Sequence, residues 1–376
     1  MRVIRRGWVR HLGALIVAVS VASSAQAQSE LAALVAREIK AVLPENGAGG
    51  AAVAVRTGGH TQFFNYGYAE LAHKRPMNED ALVNIASVRK VFEATLLAQA
   101  VERGELKLDD PVDRYVTELK DGHDIRRVTV GQLATHTSGL LLPQDHPPWP
   151  TQGYSLAEFI KTLNDWQADA EQQPGKQHMY THAGYVLLQL ALERALKAPI
   201  KTLLETRIIK PLGLTATRLP MLGEDGRADL PPALLKRAVQ GYDEDGQPVG
   251  APGDQQTYYH FPGTGQMYSS ARDLARFAAA QLGEVRVDPP LGRAMQLARQ
   301  RVVDISPRNA QALAWEINYN DTPPIVEKNG GMNNASSYVG LIPERRLAIV
   351  ILCNRGDQDV ASVGRRILWA LAKRTP

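Results

Sequence analysis

Ser87 and Lys90 stand three positions apart in "NIASVRKVFEATL", where a turn-like stretch gives way to a helical pattern. At that spacing both side chains share one helix face, so an amine can reach a hydroxyl. A neutral lysine would accept the serine proton, and the exposed N–H groups of a first helical turn favour developing negative charge. The pair reads as nucleophile and base, or as a capping serine beside a surface lysine. A second group lies in "QQPGKQHMYTHAGYVLLQLALE", with Tyr180 and His182 just ahead of another helical run. A phenol near cations favours its anion and can shuttle a proton, while an imidazole both donates and accepts. Tyr180 also reads as a packing wedge, His182 as a surface polar group, and Tyr185 as a packed residue farther into the helix. The third group is "VEKNGGMNNASSYVGLIPE". Lys328 can stabilise negative charge, Asn329 can hydrogen-bond a polar substrate, and Gly330-Gly331 lets backbone approach a ligand closely. The Gly331 N–H could join that of Ser87 in an oxyanion hole, or the glycines could form a turn between strands. All three groups read as element boundaries rather than apolar interiors.

Positioning them requires a scaffold. After an opening helix in "SELAALVAREIKAVL", two strand-like segments, "GAAVAVRTG" and "HTQFFNYGYAEL", flank Gly58-Gly59 as a hairpin. Near the other end come "SSYVGLIPE", "RRLAIVILCN" and a helical "VASVGRRILWALAKR". Helical patterns dominate between them, so the economical organisation is an α/β domain built from both ends, with a helical domain inserted. The expected limits are a signal peptide at 1–27, α/β parts at 28–105 and 301–376, and a mainly helical domain at 106–300. "LPQDHPPWPTQGY" and "YDEDGQPVGAPGDQQTYYHFPGTG" read as long loops of the kind that form pocket mouths.

Composition removes other classes. The chain has 376 residues, 44% of them hydrophobic, which excludes disorder and supplies a substantial core. A basic start, an apolar run and "AQA" at Ala25 to Ala27 read as a secretory signal, shorter than a membrane span. That segment holds four arginines and no acid, so the formal charge of +4 belongs to it. No basic surface suggests nucleic acid, and no useful GxGxxG or GxxxxGK[ST] suggests a nucleotide. The lone Cys353, inside "LAIVILCN", reads as a small buried hydrophobe.

With these residues in view, the chain resembles the serine β-lactamase and penicillin-binding-protein superfamily, most closely the class C β-lactamases, over essentially all of its mature length. "SVRK" resembles the Ser-x-x-Lys motif, implying Ser87 as acylated nucleophile and Lys90 as its proton partner. "YTH" takes the place of Tyr-x-Asn, implying Tyr180 as proton shuttle, and "KNG" that of Lys-Thr-Gly, implying Lys328 as second cation and Gly331 as oxyanion donor. "GELKLDDPVDRYVTEL", "VTVGQLATHTSGL" and "SSYVGLIPERRLAIVILCNR" support the resemblance, and Gln144 is placed like a pocket glutamine that contacts a substrate amide. The implied fold is β-lactamase-like, α/β plus all-α: an antiparallel sheet flanked by helices, with an inserted helical domain. His182 and Asn329, both expected to bind substrate, depart from the family's asparagine and threonine. Glu327 either faces the pocket and lowers its positive potential or, by strand alternation, faces away. The implied activity is β-lactam opening through a Ser87 acyl-enzyme, in the periplasm, on a β-lactam or a peptidoglycan-peptide-like substrate. It needs no cofactor, no nucleic acid and no stable membrane insertion after processing. Three alternatives stand beside it: a D-alanyl-D-alanine peptidase or serine esterase, a non-catalytic periplasmic ligand-binding protein, and a zinc site drawing on His182, His178, His260 or Glu327.

Overall fold

The structure, a computed structural model, describes residues 26–142, 145, 154–220, 229–253 and 267–374. The expected signal segment lies outside these residues up to position 25, as do Gln144, His260, most of the first long loop and the second half of the other. The described chain divides into two compact units, one ending at Ala41 and the other beginning at Val42. The first contains a helix, α1, over 26–39.

The second unit is organised by one nine-stranded antiparallel sheet. Its strands are β1 (Gly50–Thr57), β2 (His60–Glu70), β3 (Arg75–Pro76), β4 (Val303–Ser306), β5 (Asn309–Gln311), β6 (Glu316–Asn318), β7 (Ile325–Met332), β8 (Ala335–Ile342) and β9 (Leu347–Cys353). They lie in the order β3-β2-β1-β9-β8-β7-β6-β5-β4, so the two ends of the chain meet where β1 pairs with β9, Val53 opposite Ile351. The expected hairpin forms with Thr57 opposite His60, and both turn glycines hold positive φ. Three short strands, β4 to β6, extend the sheet beyond what the pattern revealed, because runs of three or four residues carry too little alternation to read.

Every residue of β9 is buried, since helices cover both faces of the sheet. Ala348, Val350 and Leu352 join the main core with α4 (Ala271–Gln281), while α6 (Val360–Ala372) packs on β8 and β9 from the other side. Asp359 caps α6 by accepting the Ser362 N–H at 3.0 Å, and Val360, Val363, Ile367 and Leu371 form its buried stripe. The segment between β3 and β4 is the inserted helical region. It carries α2 (Arg89–Glu102), α3 (His182–Leu196), α4, α5 (Pro289–Ala298), a further ten-residue helix at Leu156–Asp165 and several shorter ones. As domain limits, 28–105, 106–300 and 301–376 remain our proposal.

Helix α2 is buried almost all round, against α3 and α5, despite carrying Arg89, Lys90 and Glu93. Such burial requires partners. Arg89 donates to Glu93 Oε1 at 2.8 Å and to Gln189 on α3 at 2.6 Å. Phe92 stacks on Phe277 of α4 at 4.2 Å, which ties this helix to the sheet. Ahead of α2, Val83–Asn84 pairs with Tyr268–Ser269, so the chain enters the helix from a fixed strand. Among the described residues no helix is long and apolar enough to cross a membrane.

Candidate active site

Ser87 lies in the single turn Ala86–Val88 that feeds α2. Ala86 before it holds φ of 48°, a left-handed conformation that costs a residue with a Cβ about 1–2 kcal/mol. Neighbouring bonds fix this turn: Ala86 N–H donates to Asn84 Oδ1 at 3.0 Å, and Ser337 of β8 donates to the Ile85 carbonyl at 2.7 Å. Ser87 Oγ is thereby held 2.8 Å from Tyr180 Oη and 3.4 Å from Lys90 Nζ.

Tyr180 comes from the stretch leading into α3, with Lys90 Nζ 5.5 Å and Lys328 Nζ 5.1 Å from its ring centroid. Burial pushes its pKa up, but the two ammonium groups and the hydrogen bonds to Ser87 and Lys90 outweigh burial and leave it below the ordinary phenol value. Tyr185 is the opposite case. Its hydroxyl is buried and donates to the Ala134 carbonyl at 3.0 Å, and burial, followed by Glu93, pushes its pKa well up. Two tyrosines thus face Lys90, and the surroundings favour ionisation of only one.

Lys328 is 2% exposed on β7. Burial lowers its pKa, yet the Glu316 carboxylate of β6, 2.8 Å away, raises it further and holds it above the ordinary lysine value. Glu316 responds in kind: burial pushes it up, Lys328 more than reverses this, and it stays ionised. Glu327, one residue before Lys328, faces away from the site, which resolves the two orientations open from sequence. It accepts from Arg365 of α6 at 2.7 Å, from Tyr338 at 2.6 Å and from Asn318 at 3.1 Å.

The two glycines lie inside β7, not in a turn; the turn is Asn333-Asn334, with Met332 opposite Ala335. A Cβ on Gly330 would come 2.8 Å from the Ser87 nitrogen and 2.6 Å from the Ile85 carbonyl oxygen, so only glycine lets the strand approach this closely. A Cβ on Gly331 would meet nothing within 4 Å. Counting ladder bonds back from the two-residue turn directs the N–H groups of Gly330 and Met332 toward β8 and that of Gly331 toward the opposite edge. β6 pairs only as far as Glu327, so among the described residues that edge has no strand beside Gly331. Asn329 is exposed and, by alternation, lies on the face away from Lys328.

His182 opens α3, and its Nδ1 lies 3.6 Å from Asp145 Oδ1. His178 meets Gln311 at 3.1 Å. Among the described residues the zinc candidates form no cluster: Glu327 is held on the far face of β7, and no group of three or more candidate metal ligands occurs there, His260 lying outside the described residues.

Three residues of this site carried no assignment from sequence: Glu316, Asp145 and His136. The His136 ring lies 4.4 Å from that of Tyr180, its Nδ1 accepts the Thr181 N–H at 3.2 Å, and its carbonyl accepts the Met179 N–H at 2.7 Å. Burial first, then Lys328 and Lys90, depress its pKa well below the ordinary value. It therefore adds a neutral surface behind the phenol rather than a third cation. The available signal was "THTS", four polar residues immediately after an apolar helical stretch, all of them buried here.

A serine, two lysines and one acidified phenol therefore converge between α2, α3 and β7. Comparison with known proteins gives this constellation its setting: a family model described as beta-lactamase matches residues 29–373. The chain belongs to the beta-lactamase family. It is similar to a beta-lactamase of Escherichia coli (strain K12), 28% identical over 386 residues, which covers 94% of this chain and 96% of that protein. Among solved structures it is similar to a beta-lactamase/D-alanine carboxypeptidase from Pseudomonas syringae, at 27% identity and TM-score 0.77 over 90% of this chain and 99% of that one. A class C beta-lactamase, at 23% identity and TM-score 0.79 over 91% of this chain and 97% of that one, shares the fold. This beta-lactamase-family chain is a serine hydrolase of class C-like architecture.

Proposed function

We propose that this protein is an exported periplasmic enzyme that opens β-lactams through a Ser87 acyl-enzyme. The observation that carries the reading is Ser87 Oγ, 2.8 Å from a phenol of lowered pKa and 3.4 Å from a buried lysine. Tyr180, its anion favoured by the Lys90 and Lys328 ammonium groups, takes the Ser87 proton as Oγ bonds to the lactam carbonyl carbon. The Ser87 and Gly331 N–H groups receive the oxyanion, a contribution of several kcal/mol. As the carbonyl re-forms, the C–N bond breaks and Tyr180 returns the proton to the leaving nitrogen. Water then attacks the ester, giving its proton to the same base, and Ser87 recovers its hydroxyl. Lys328, kept charged by Glu316, holds a substrate carboxylate and keeps the phenol acidic.

Intact-mass measurement after mixing with penicillin, cephalosporin and carbapenem panels is expected to show a Ser87 adduct that decays with ring hydrolysis. A protein that forms no adduct with any of them is not this enzyme. A second reading, a D-alanyl-D-alanine peptidase, is favoured by the carboxypeptidase named among its structural relatives. Parallel assays on lactams, D-alanyl-D-alanine peptides and p-nitrophenyl esters separate lactamase, peptidase and esterase by kcat/KM.

A further inference from the structure

Tyr180 is 37% exposed, so its phenol meets the cleft, and its inner side rests on one residue. The backbone N–H groups that flank it both end on His136: Met179 donates to the His136 carbonyl at 2.7 Å and Thr181 to its Nδ1 at 3.2 Å. The imidazole, fully buried, lies 4.4 Å from the phenol ring and tilted from it by 32°. His136 makes these contacts with φ of 55°, a left-handed conformation unfavourable for a residue with a Cβ. The turn is locked around it, with the Thr135 and Thr137 hydroxyls 2.9 Å apart and the Gly175 N–H on the Thr137 carbonyl at 2.7 Å. An Nδ1 that accepts an N–H carries no proton, so the neutral ring holds its hydrogen on Nε2, and among the described residues nothing accepts it. A buried donor without an acceptor and a strained backbone are both costs, and both fall on the residue that packs on the phenol.

We propose that His136 is the positioning residue of Tyr180: its carbonyl and Nδ1 set where the phenol stands against Ser87, and its ring keeps water from the inner side of that phenol. This inference rests on the acyl-enzyme reading. Lys90 and Lys328 act on Tyr180 from 5.5 Å and 5.1 Å, and such fields are several-fold stronger through packed protein than through water. Protonating His136 would put a hydrogen on Nδ1 against the Thr181 N–H and release the segment. Burial first, then Lys328, Lys90, His178 and His182, oppose that protonation. His178 and His182 are themselves pushed down by burial, and Tyr185 stays a neutral phenol. The charged neighbours of Tyr180 near neutral pH are therefore the two lysines, with Glu316 behind Lys328.

His136→Asn tests the ring. Asparagine tolerates positive φ and its Oδ1 can take the Thr181 N–H, but the space behind the phenol opens to water. The ascending limb of the pH profile for acylation by a chromogenic cephalosporin is expected to move about one unit higher, with kcat/KM at neutral pH about tenfold lower. His136→Phe refills the space but accepts nothing from Thr181; it is expected to keep the wild-type limb and to lower kcat about tenfold with KM little changed. A merely structural role would lower Tm and leave the limb in place. Nitrogen-15 NMR of the wild-type protein needs no variant and decides alone if His136→Asn does not fold: the His136 ring is expected as the Nε2–H tautomer, with no titration between about pH 5 and pH 8. An Nδ1–H tautomer or an ordinary histidine titration overturns the inference. So does a His136→Asn protein with the wild-type limb, or a His136→Phe limb displaced as far as that of His136→Asn, each while the Ser87 adduct still forms. If the wild type forms no Ser87 adduct, the acyl-enzyme reading falls and this inference with it.

Discussion

On β7 the neighbours Glu327 and Lys328 point to opposite faces, and each is buried in an ion pair. Their surroundings differ. Glu327 is surrounded by donors, with Arg365, Tyr338 and Asn318 occupying its two oxygens, so its charge is spent within the fold. Lys328 has one carboxylate partner and turns its remaining field onto the Tyr180 ring 5.1 Å away. One face of a strand is a closed polar network and the other a charge directed at a phenol beside Ser87. Burial alone therefore does not mark a functional ion; what its partners leave unsatisfied does.

Substitutions can break this contrast. Ser87→Ala should have the largest effect, a loss of about 10⁴-fold or more in lactam turnover with no covalent adduct by mass. Lys328→Met should cost about 10²- to 10³-fold in kcat/KM. It should also move the ascending limb of the acylation pH profile to higher pH, because a cation that acidifies Tyr180 is gone. On the other face, Glu327→Ala should leave acylation within about threefold of wild type while lowering unfolding stability by about 3 kcal/mol in urea, since Arg365 and Tyr338 lose their partner. A Glu327→Ala protein as inactive as Lys328→Met would erase the distinction between the faces.

Glu316→Gln sharpens it. Glu316 has a depressed pKa, so its contribution is present above the ordinary carboxylate value and lost as pH falls through the depressed one. Lys328 has a raised pKa, so its contribution is present below the ordinary lysine value and lost as pH rises through the raised one. The stability gap between wild type and variant should be flat across neutral pH and shrink in strong acid and strong alkali, as denaturant titrations would show. The smallest effect concerns Cys353, whose thiol burial pushes up to about 11. Iodoacetamide should leave it unmodified in native protein at pH 8 and label it after unfolding.

Segments with long alternation or strong helical periodicity are legible in the sequence: the β1–β2 hairpin, β8, β9 and α6 all announce themselves. Ser87, Lys90, Tyr180 and Lys328 were legible too, because each sits in a short motif whose residue types have few other uses together. Glu316 was not, since it lies in a three-residue strand and matters only through a partner 12 residues on. Asp145 was hidden for another reason. It reads as one more polar residue in a proline-rich loop, and only the fold brings it to the first turn of a helix 37 residues away. His136 shows the same limit: its ring lies tilted behind the Tyr180 phenol, centroids 4.4 Å apart, a placement no spacing rule encodes.

Gly330 has a consequence for how this cleft can change. The strand and the start of α2 touch with hydrogen where any other residue would carry a methyl, 2.8 Å from the Ser87 nitrogen. There is no cushion between the two walls, so a swelling of even one carbon must pry sheet from helix and pull the Ser87 and Gly331 N–H groups apart. Variation in what this enzyme accepts is thereby channelled to the rim, to residues such as His182, while the floor stays the same.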